Sequence, residues 1–158
     1  MSTAIPPRPR QVGSRRQFVI VASQFNGQYV QGLVDHAMRE LRELSPTATV
    51  TVHQVTGAFE IPIVVRELAA KKSADAILAL AVILKGETDH AQNLGRCVTD
   101  ALQQIAVQYG VPIINAVVSV ENESQARERC LGDQINRGTE AARAAVQIVS
   151  VLNELRER

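Results

Sequence analysis

Blocks of two different apolar periodicities follow one another along the chain. Short apolar runs rich in β-branched residues predict four strands, at 17–23, 48–55, 74–84 and 111–120. Apolar residues spaced three or four apart predict helices at 29–44, 57–72, 89–109 and 139–155, and the polar segment 121–130 is expected to form a short helix. Pro62 falls near the start of the second helix, where proline is tolerated, and Gly110 is expected to end the third.

This alternation of strands and helices predicts an α/β fold. The third strand is apolar almost throughout, as expected for a strand covered on both faces. Right-handed crossovers then give a three-layer αβα sandwich around a four-stranded parallel sheet. We expect an irregular N-terminal arm over residues 1–16 and one α/β domain over 17–158. Ligands of such sheets gather at the carboxyl ends of the strands, so function is expected in the segments that follow each strand.

Composition narrows the function classes. With 46% apolar residues the chain can bury a core, and a net charge of +1 gives no electrostatic case for nucleic acid or an anionic membrane. The basic residues of the arm are more typical of a solvated tail than of a nucleic-acid arm. No apolar run is long enough to span a membrane and the N-terminus lacks an apolar signal segment, so we expect a cytoplasmic protein. Three scattered histidines and two cysteines make no metal site, and Cys97 and Cys130 are interpreted as packing thiols.

The segment "KGETDH", residues 85–90, follows the third strand and has two interpretations. Gly86, Glu87 and Thr88 could hold a phosphate, because the first amides of a helix lack internal partners and the helix dipole favours an anion there. Alternatively, Thr88 or Asp89 simply caps the helix. Capping does not account for His90, whose side chain can move protons near neutral pH.

The other strand ends carry weaker signals, and each has a structural alternative. Phe25 and Asn26 suit the binding of a flat heterocycle; alternatively, Phe25 is a buried ring and Asn26 only forms a turn. In "GAFEIP", Phe59 offers an apolar face and Glu60 is stabilised by the dipole at the helix start. Alternatively, Phe59 belongs to the core and the segment only caps the helix. In the fourth set, Arg129 and Arg137 could grip a phosphate, whereas Arg127 is assigned to a solvated face; His36 and His53 are interpreted as structural.

Five of these motifs, taken in order, resemble the lumazine synthase family. They are "FN", "GAFEIP", "KGETDH", "VEN…QARER" and "NRGTEAA", and the resemblance extends from about Phe18 to Leu155. It implies a flavodoxin-like fold and the penultimate reaction of riboflavin biosynthesis. In that reaction a ribitylamino-pyrimidinedione condenses with a dihydroxybutanone phosphate, without a metal or organic cofactor. It also implies a homo-oligomer, a pentamer or a multiple of one, with riboflavin synthase as a possible further partner.

The resemblance assigns roles to residues of this chain. Phe25 would stack on the pyrimidine, Val82 and Ile83 would pair with its edge through their backbone, and His90 would shuttle protons. The remaining ligands are implied for the ribityl chain (Asn26, Ala58, Phe59, Glu60), for the phosphate (Gly86, Glu87, Thr88, Arg129) and from the neighbouring subunit (Arg129, Arg137).

Three positions depart from the family pattern. Ala91 follows the site histidine, where the family usually has an aromatic residue, and Asp133 stands where lysine is frequent. Asn115 replaces an aromatic residue that would cover the substrate ring across the subunit boundary. The departures at Asn115 and Ala91 motivate an alternative function, a non-catalytic oligomeric scaffold that binds a flavin or lumazine. A flavodoxin-like electron carrier is disfavoured, because the chain has few aromatic residues and no Ser/Thr-rich phosphate loop.

Overall fold

The computed structural model describes residues 4–9 and 15–157, which form an α/β fold around one parallel sheet. The strands, in chain order, are Gln17–Ser23 (β1), Thr49–Val55 (β2), Ala76–Leu84 (β3) and Ile113–Val120 (β4). The helices are Gly27–Leu44 (α1), Ile61–Lys71 (α2), His90–Tyr109 (α3), Glu123–Cys130 (α4) and Arg137–Arg156 (α5). The strand order is β2-β1-β3-β4, so the predicted flavodoxin-like fold is confirmed.

The sheet separates two apolar cores. Alternate residues of β3 point to opposite faces: Leu78, Leu80 and Val82 pack toward α1, α4 and α5, whereas Ile77 and Ala79 pack toward α2 and α3. Because helices cover both faces, β3 is buried along almost its whole length. The uninterrupted apolar run of this strand therefore follows from its central position. The carboxyl end of β3 lies between β1 and β4, in the middle of the sheet.

Two glycines allow the α1, α4 and α5 layer to pack closely. A Cβ at Gly138 in α5 would overlap the carbonyl oxygen of Leu33 in α1, and a Cβ at Gly32 would overlap that of Cys130. The helix backbones therefore approach more closely than any side chain at these positions would permit. This contact holds α4 and the start of α5 in place above β3 and β4.

The edge strand β2 is unusually open. Its residues are exposed except Val50 and Val55, which are partly buried. The structure therefore shows little burial on either face of this strand. The physical reason is that, among the described residues, α1 and α2 pack mainly on β1 and β3.

The ends of the helices agree with the sequence in part. Gly110 adopts a left-handed conformation, φ 66°, and ends α3 as predicted. The predicted helix 57–72 instead begins as a 3₁₀ turn over Ala58–Glu60, with Pro62 in the first turn of α2. Cys130 is buried as expected for a packing thiol, but Cys97 is exposed, so that interpretation is wrong for Cys97. Its side chain lies on the outer surface of α3 beside Phe59 and Ile63.

The predicted arm is described only in part. Residues 4–9, 15 and 16 have no regular secondary structure, whereas the remainder of the predicted arm lies outside the described residues. Among the residues that the structure does describe, none of the helices has the length and apolar character needed to cross a membrane.

Candidate functional site

The carboxyl ends of β1 and β3 are joined by one asparagine side chain. Asn26 begins α1 in a left-handed conformation, φ 58°, which asparagine tolerates better than most residues. Its Nδ2 donates to the carbonyl oxygen of Val82, 2.7 Å away. The loop after β1 is thereby tied to the end of the central strand, and Val82 and Ile83 are held beside it.

The loop after β2 is tied to the same place. The backbone N–H of Phe25 donates to the carbonyl oxygen of Thr56 at 3.1 Å. Gly57 donates through its N–H to Glu60 Oε2 at 3.0 Å, which fixes that carboxylate at the start of the 3₁₀ turn. A Cβ at Gly57 would lie 2.9 Å from Cδ2 of Phe25, so only glycine leaves room for the ring in this position. The structure thus brings Phe25, Asn26, Gly57, Glu60 and Val82 together.

Both aromatic side chains of these loops face outward. Phe25 is 64% exposed and Phe59 is 66% exposed, so neither belongs to the core. The alternatives that made Phe25 a buried ring and Phe59 a core residue are therefore wrong. Each exposed ring is an apolar surface that a ligand or a second copy of the chain would cover.

The loop after β3 carries the residues predicted for an anion. A Cβ at Gly86 would meet nothing within 4 Å, and Asp89 precedes α3 without a side-chain hydrogen bond to the helix amides. Thr88 Oγ1 lies 3.4 Å from the N–H of His90, a long contact for a cap. The capping alternative is therefore only weakly supported, and the first amides of α3 keep capacity for an external acceptor.

The exposed imidazole of His90 stands at the first position of α3, beside a cavity of about 610 Å³. This cavity runs between α3 and β4, and Thr88 and Asp89 line its upper end. Lys85 Nζ and Glu121 Oε2 form an ion pair, 3.1 Å apart, that joins the loops after β3 and β4. The predicted proton shuttle and the predicted anion loop are thus adjacent.

The remaining predicted residues lie elsewhere on the molecule. Asn115 and Arg137 line a separate cavity of about 320 Å³ between β4 and α5, and none of the residues around Asn26 lines it. Arg137 forms an ion pair there with Glu140. Arg129 lies on α4, where Nε and Nη1 are buried without a hydrogen-bond acceptor in the described part of the chain; Glu128 Oε2 is 3.5 Å from Nη1. We call the predicted residues at the ends of β1, β2 and β3 and at the start of α3 the first group, and Asn115, Arg129 and Arg137, on β4, α4 and α5, the second group; no residue of the first group lines the cavity that contains Asn115 and Arg137.

Asn115 is held on the outer edge of β4 rather than free. Its Nδ2 donates to Thr99 Oγ1 at 3.2 Å, and its Oδ1 accepts from the N–H of Val117 at 3.1 Å. The side chain therefore accepts a hydrogen bond from a backbone N–H of this edge strand and links β4 to α3. The nitrogen and the oxygen of this amide each keep one further hydrogen-bonding position, because Nδ2 carries a second proton and Oδ1 a second lone pair.

Sequence reasoning missed several residues that organise the region. Asn136 caps α5 by accepting from the N–H groups of Gly138 and Thr139, and its Nδ2 donates to the carbonyl oxygens of Cys130 and Gly132. An asparagine just before a helical run is a recognisable capping signal. Thr99 and the Lys85–Glu121 pair offered no such signal, because their partners are distant in sequence.

Asp133, one of the three departures, has a local partner. Its Oδ1 lies 3.0 Å from Nε2 of His36, whose Nδ1 lies 2.8 Å from the carbonyl oxygen of Gly32. This agrees with a structural role for His36. Arg127 is largely exposed, as predicted, and lies 4.0 Å from Glu123. In the described residues there is also no group of three potential metal ligands.

Comparison with known proteins decides the family. The family model for 6,7-dimethyl-8-ribityllumazine synthase matches residues 15–153. The chain belongs to the lumazine synthase family. It is 35% identical over 140 residues to the 6,7-dimethyl-8-ribityllumazine synthase of Coxiella burnetii (strain Dugway 5J108-111), covering 88% of this chain and 93% of that protein. It is 37% identical over 147 residues to that of Xylella fastidiosa (strain M12), covering 92% and 94%.

The lumazine synthase match includes both groups of predicted site residues. Its range begins before β1 and ends inside α5, so it contains every loop at the carboxyl ends of the strands. This places the chain in a family of riboflavin biosynthesis, and both groups lie within the matched region.

Proposed function

We propose that the chain is a 6,7-dimethyl-8-ribityllumazine synthase. It condenses 5-amino-6-ribitylamino-pyrimidinedione with 3,4-dihydroxy-2-butanone 4-phosphate and releases phosphate and water. The observation that carries this proposal is that the loop after β1 is joined to the end of β3 by Asn26 and to the loop after β2 by the N–H of Phe25, within the region that matches the family. Those bonds set an aromatic ring, an amide and a carboxylate around one strand end.

The pyrimidine and its polyol side chain fit the first group. The exposed ring of Phe25 offers a stacking face. The backbone of Val82 and Ile83 is assigned to the edge of the heterocycle; the Val82 carbonyl oxygen accepts from Asn26 and keeps a second lone pair for this contact. Asn26, Ala58, Phe59 and Glu60 surround the position proposed for the ribityl chain. Glu60 suits a polyol because a carboxylate accepts strong hydrogen bonds from hydroxyl groups, and Gly57 already fixes one of its oxygens.

The phosphate fits the loop before α3. Gly86 allows close approach of an anion to the backbone, Thr88 adds a hydroxyl group, and the helix dipole favours negative charge at this end. Glu87 contributes through its backbone N–H in this proposal. Arg129 supplies the compensating charge, since two nitrogens of its guanidinium are buried without a hydrogen-bond acceptor in the described residues.

His90 is the proposed proton carrier. The amine of the pyrimidine attacks the ketone of the butanone phosphate, and loss of water gives an imine. His90 then moves protons while the phosphate group leaves and the second ring closes. An exposed imidazole beside the phosphate loop can both accept and donate protons near neutral pH. Holding the two substrates together supplies a further large part of the rate.

The second group is proposed to act on a neighbouring copy of the chain. Arg129 and Arg137 would cross a subunit boundary, as would Asn115. For Asn115 and Arg137 this is consistent with a cavity that no residue of the first group lines. Exposed Phe59 and Ile63 on one side and the open strand β2 on another provide surface for such contacts. The proposed assembly is a homopentamer or a multiple of pentamers.

One assay tests the reaction. Purified protein is mixed with both substrates, and formation of the fluorescent lumazine is followed beside the uncatalysed rate. We expect turnover, and His90→Ala should lower it by about 10²–10⁴-fold without abolishing it. Tight binding of a lumazine or flavin with no rate above background would instead support the non-catalytic scaffold.

Separate titrations test the ligand assignment. Arg129→Ala should weaken binding of the butanone phosphate by about 1.5–3 kcal/mol, the worth of a charge-assisted hydrogen bond, and leave pyrimidine binding nearly intact. Arg127→Ala is the matched control, because Arg127 is exposed on the same helix. Equal weakening of both ligands would remove Arg129 from the phosphate position.

A further inference from the structure

Helix α1 carries a carboxylate on its buried face. The buried positions of α1 recur at helical spacing and are apolar, glycine or aromatic except at Glu40, which is 5% exposed. An apolar residue would suit this position against α5. Burying a carboxylate is costly unless it is paired, so the partners of Glu40 explain its presence.

The two partners of Glu40 differ in origin. Arg143 on α5 donates through Nε to Glu40 Oε1 at 3.0 Å. Arg8 of the N-terminal segment reaches the same carboxylate, with Nε 2.9 Å from Oε1 and Nη2 3.2 Å from Oε2, and it also bonds Glu43. One buried carboxylate therefore joins two helices of the domain to a segment that precedes it.

The backbone of the N-terminal segment is anchored as well. Arg143 Nη1 donates to the carbonyl oxygen of Pro6 at 2.8 Å. Arg143 thus binds the helix and the segment at the same time. Prolines at positions 6, 7 and 9 stiffen the segment, which lowers the entropy lost when it docks.

The two ion pairs differ in accessibility. The side chain of Arg143 is 16% exposed, whereas that of Arg8 is 54% exposed. Water and salt can therefore compete for Arg8 much more readily than for Arg143. If Arg8 leaves, Arg143 still neutralises Glu40, so the segment can detach without leaving a buried charge unpaired.

We infer that residues 4–9 are an electrostatic strap that docks on α1 and α5 of its own chain through Glu40 and detaches while the domain stays folded. High salt weakens the strap, because the side chain of Arg8 is more than half exposed. This inference is independent of the proposed reaction.

A spin label near the strap gives the test. The label is attached at Ile5→Cys in a Cys97→Ser background, which leaves only the buried Cys130 as a native thiol. Continuous-wave spectra then separate a docked, immobilised label from a free one. We expect an immobilised component at low salt that is lost in Arg8→Ala and at about 1 M salt, where charges are screened beyond about 3 Å.

Two controls separate the strap from general effects. Arg39→Ala removes an exposed arginine next to Glu40 that takes no part in the contacts above, and it should leave the spectrum unchanged. Circular dichroism should show the same folded domain in all variants. A mobile label in the parent protein, or an unchanged spectrum in Arg8→Ala, would overturn the strap.

A mixed assembly distinguishes docking on the same chain from docking on a neighbour. Labelled chains that also carry Glu40→Gln are co-assembled with an excess of unlabelled parental chains. The strap on its own chain predicts a mobile label, because the label's own Glu40 is missing. Immobilisation by parental neighbours would show docking between chains and would contradict the inference.

Discussion

Asn26 Nδ2 donates to the carbonyl oxygen of Val82 at 2.7 Å, which couples the start of α1 to the end of the central strand. Asn26→Ala should lose this bond, worth about 0.5–1.5 kcal/mol, and should also suffer strain of roughly 1–2 kcal/mol from its left-handed conformation. Asn26→Gly loses the bond but keeps the conformation. The difference between the two variants in chemical denaturation isolates the strain. If both variants unfold like the parent, the bond contributes nothing to stability.

The close contact between α1 and α5 predicts a large penalty for one methyl group. Gly138→Ala places a Cβ against the carbonyl oxygen of Leu33, and the backbone of two helices must separate to accommodate it. We expect a loss of about 1–3 kcal/mol in the free energy of unfolding. Gly86→Ala is the matched control, since its Cβ would meet nothing within 4 Å. Similar stability of the two variants would refute the close contact.

The two cysteines should differ in reactivity. Burial raises the pKa of the Cys130 thiol to about 11, against the lowering effect of Arg129 and Arg137, whereas Cys97 is exposed. At pH 8 a thiol reagent should modify Cys97 quickly and Cys130 only after unfolding. Cys97→Ser should remove the fast phase. A fast phase that persists in this variant would show that Cys130 is accessible.

The same pKa predicts how stability depends on pH. An unfolded thiol ionises near pH 8.5, so between that value and about 11 the folded chain holds a proton that the unfolded chain has lost. This contribution to stability is fully present below pH 8.5 and is lost as the pH rises toward 11. The parent should therefore lose more stability over this range than Cys130→Ala. Parallel pH profiles in denaturant unfolding would contradict the assignment.

Variants of Asn115 test whether the edge of β4 faces the substrate in the proposed assembly. Asn115→Phe removes the bonds to Thr99 and the Val117 N–H, but it offers an apolar ring to the substrate in the proposed assembly. A stacked ring should tighten pyrimidine binding by about 0.5–1.5 kcal/mol. Asn115→Ala removes the same bonds without adding a ring, so the difference between the variants isolates stacking. Unchanged affinity in both, measured by calorimetry with an intact assembly on sizing, would place Asn115 outside the site.

The sequence was most informative where burial leaves a simple pattern. Central β3 is covered on both faces, so its apolar run and the loop after it could be located directly. The exposure of β2 was not predictable, because an edge strand without a covering helix has the same β-rich composition as a buried one. The contact between Asn115 and Thr99 depends on how α3 lies over β4, which no local pattern encodes. The strap around Glu40 likewise joins residues far apart in sequence.

Combining two defective subunits tests the proposed shared site most directly. His90→Ala damages the first group and Arg129→Ala damages the second, and both groups are proposed to form one lumazine-forming site built from two chains. When the variants are co-expressed with different tags and mixed assemblies are purified, about one interface in four should combine an intact His90 with an intact Arg129. We expect the mixed assemblies to form lumazine at a rate well above the mean of the separately purified variants. A rate equal to that mean, with mixing verified by both tags and an active parent as reference, would contradict a site shared between two chains.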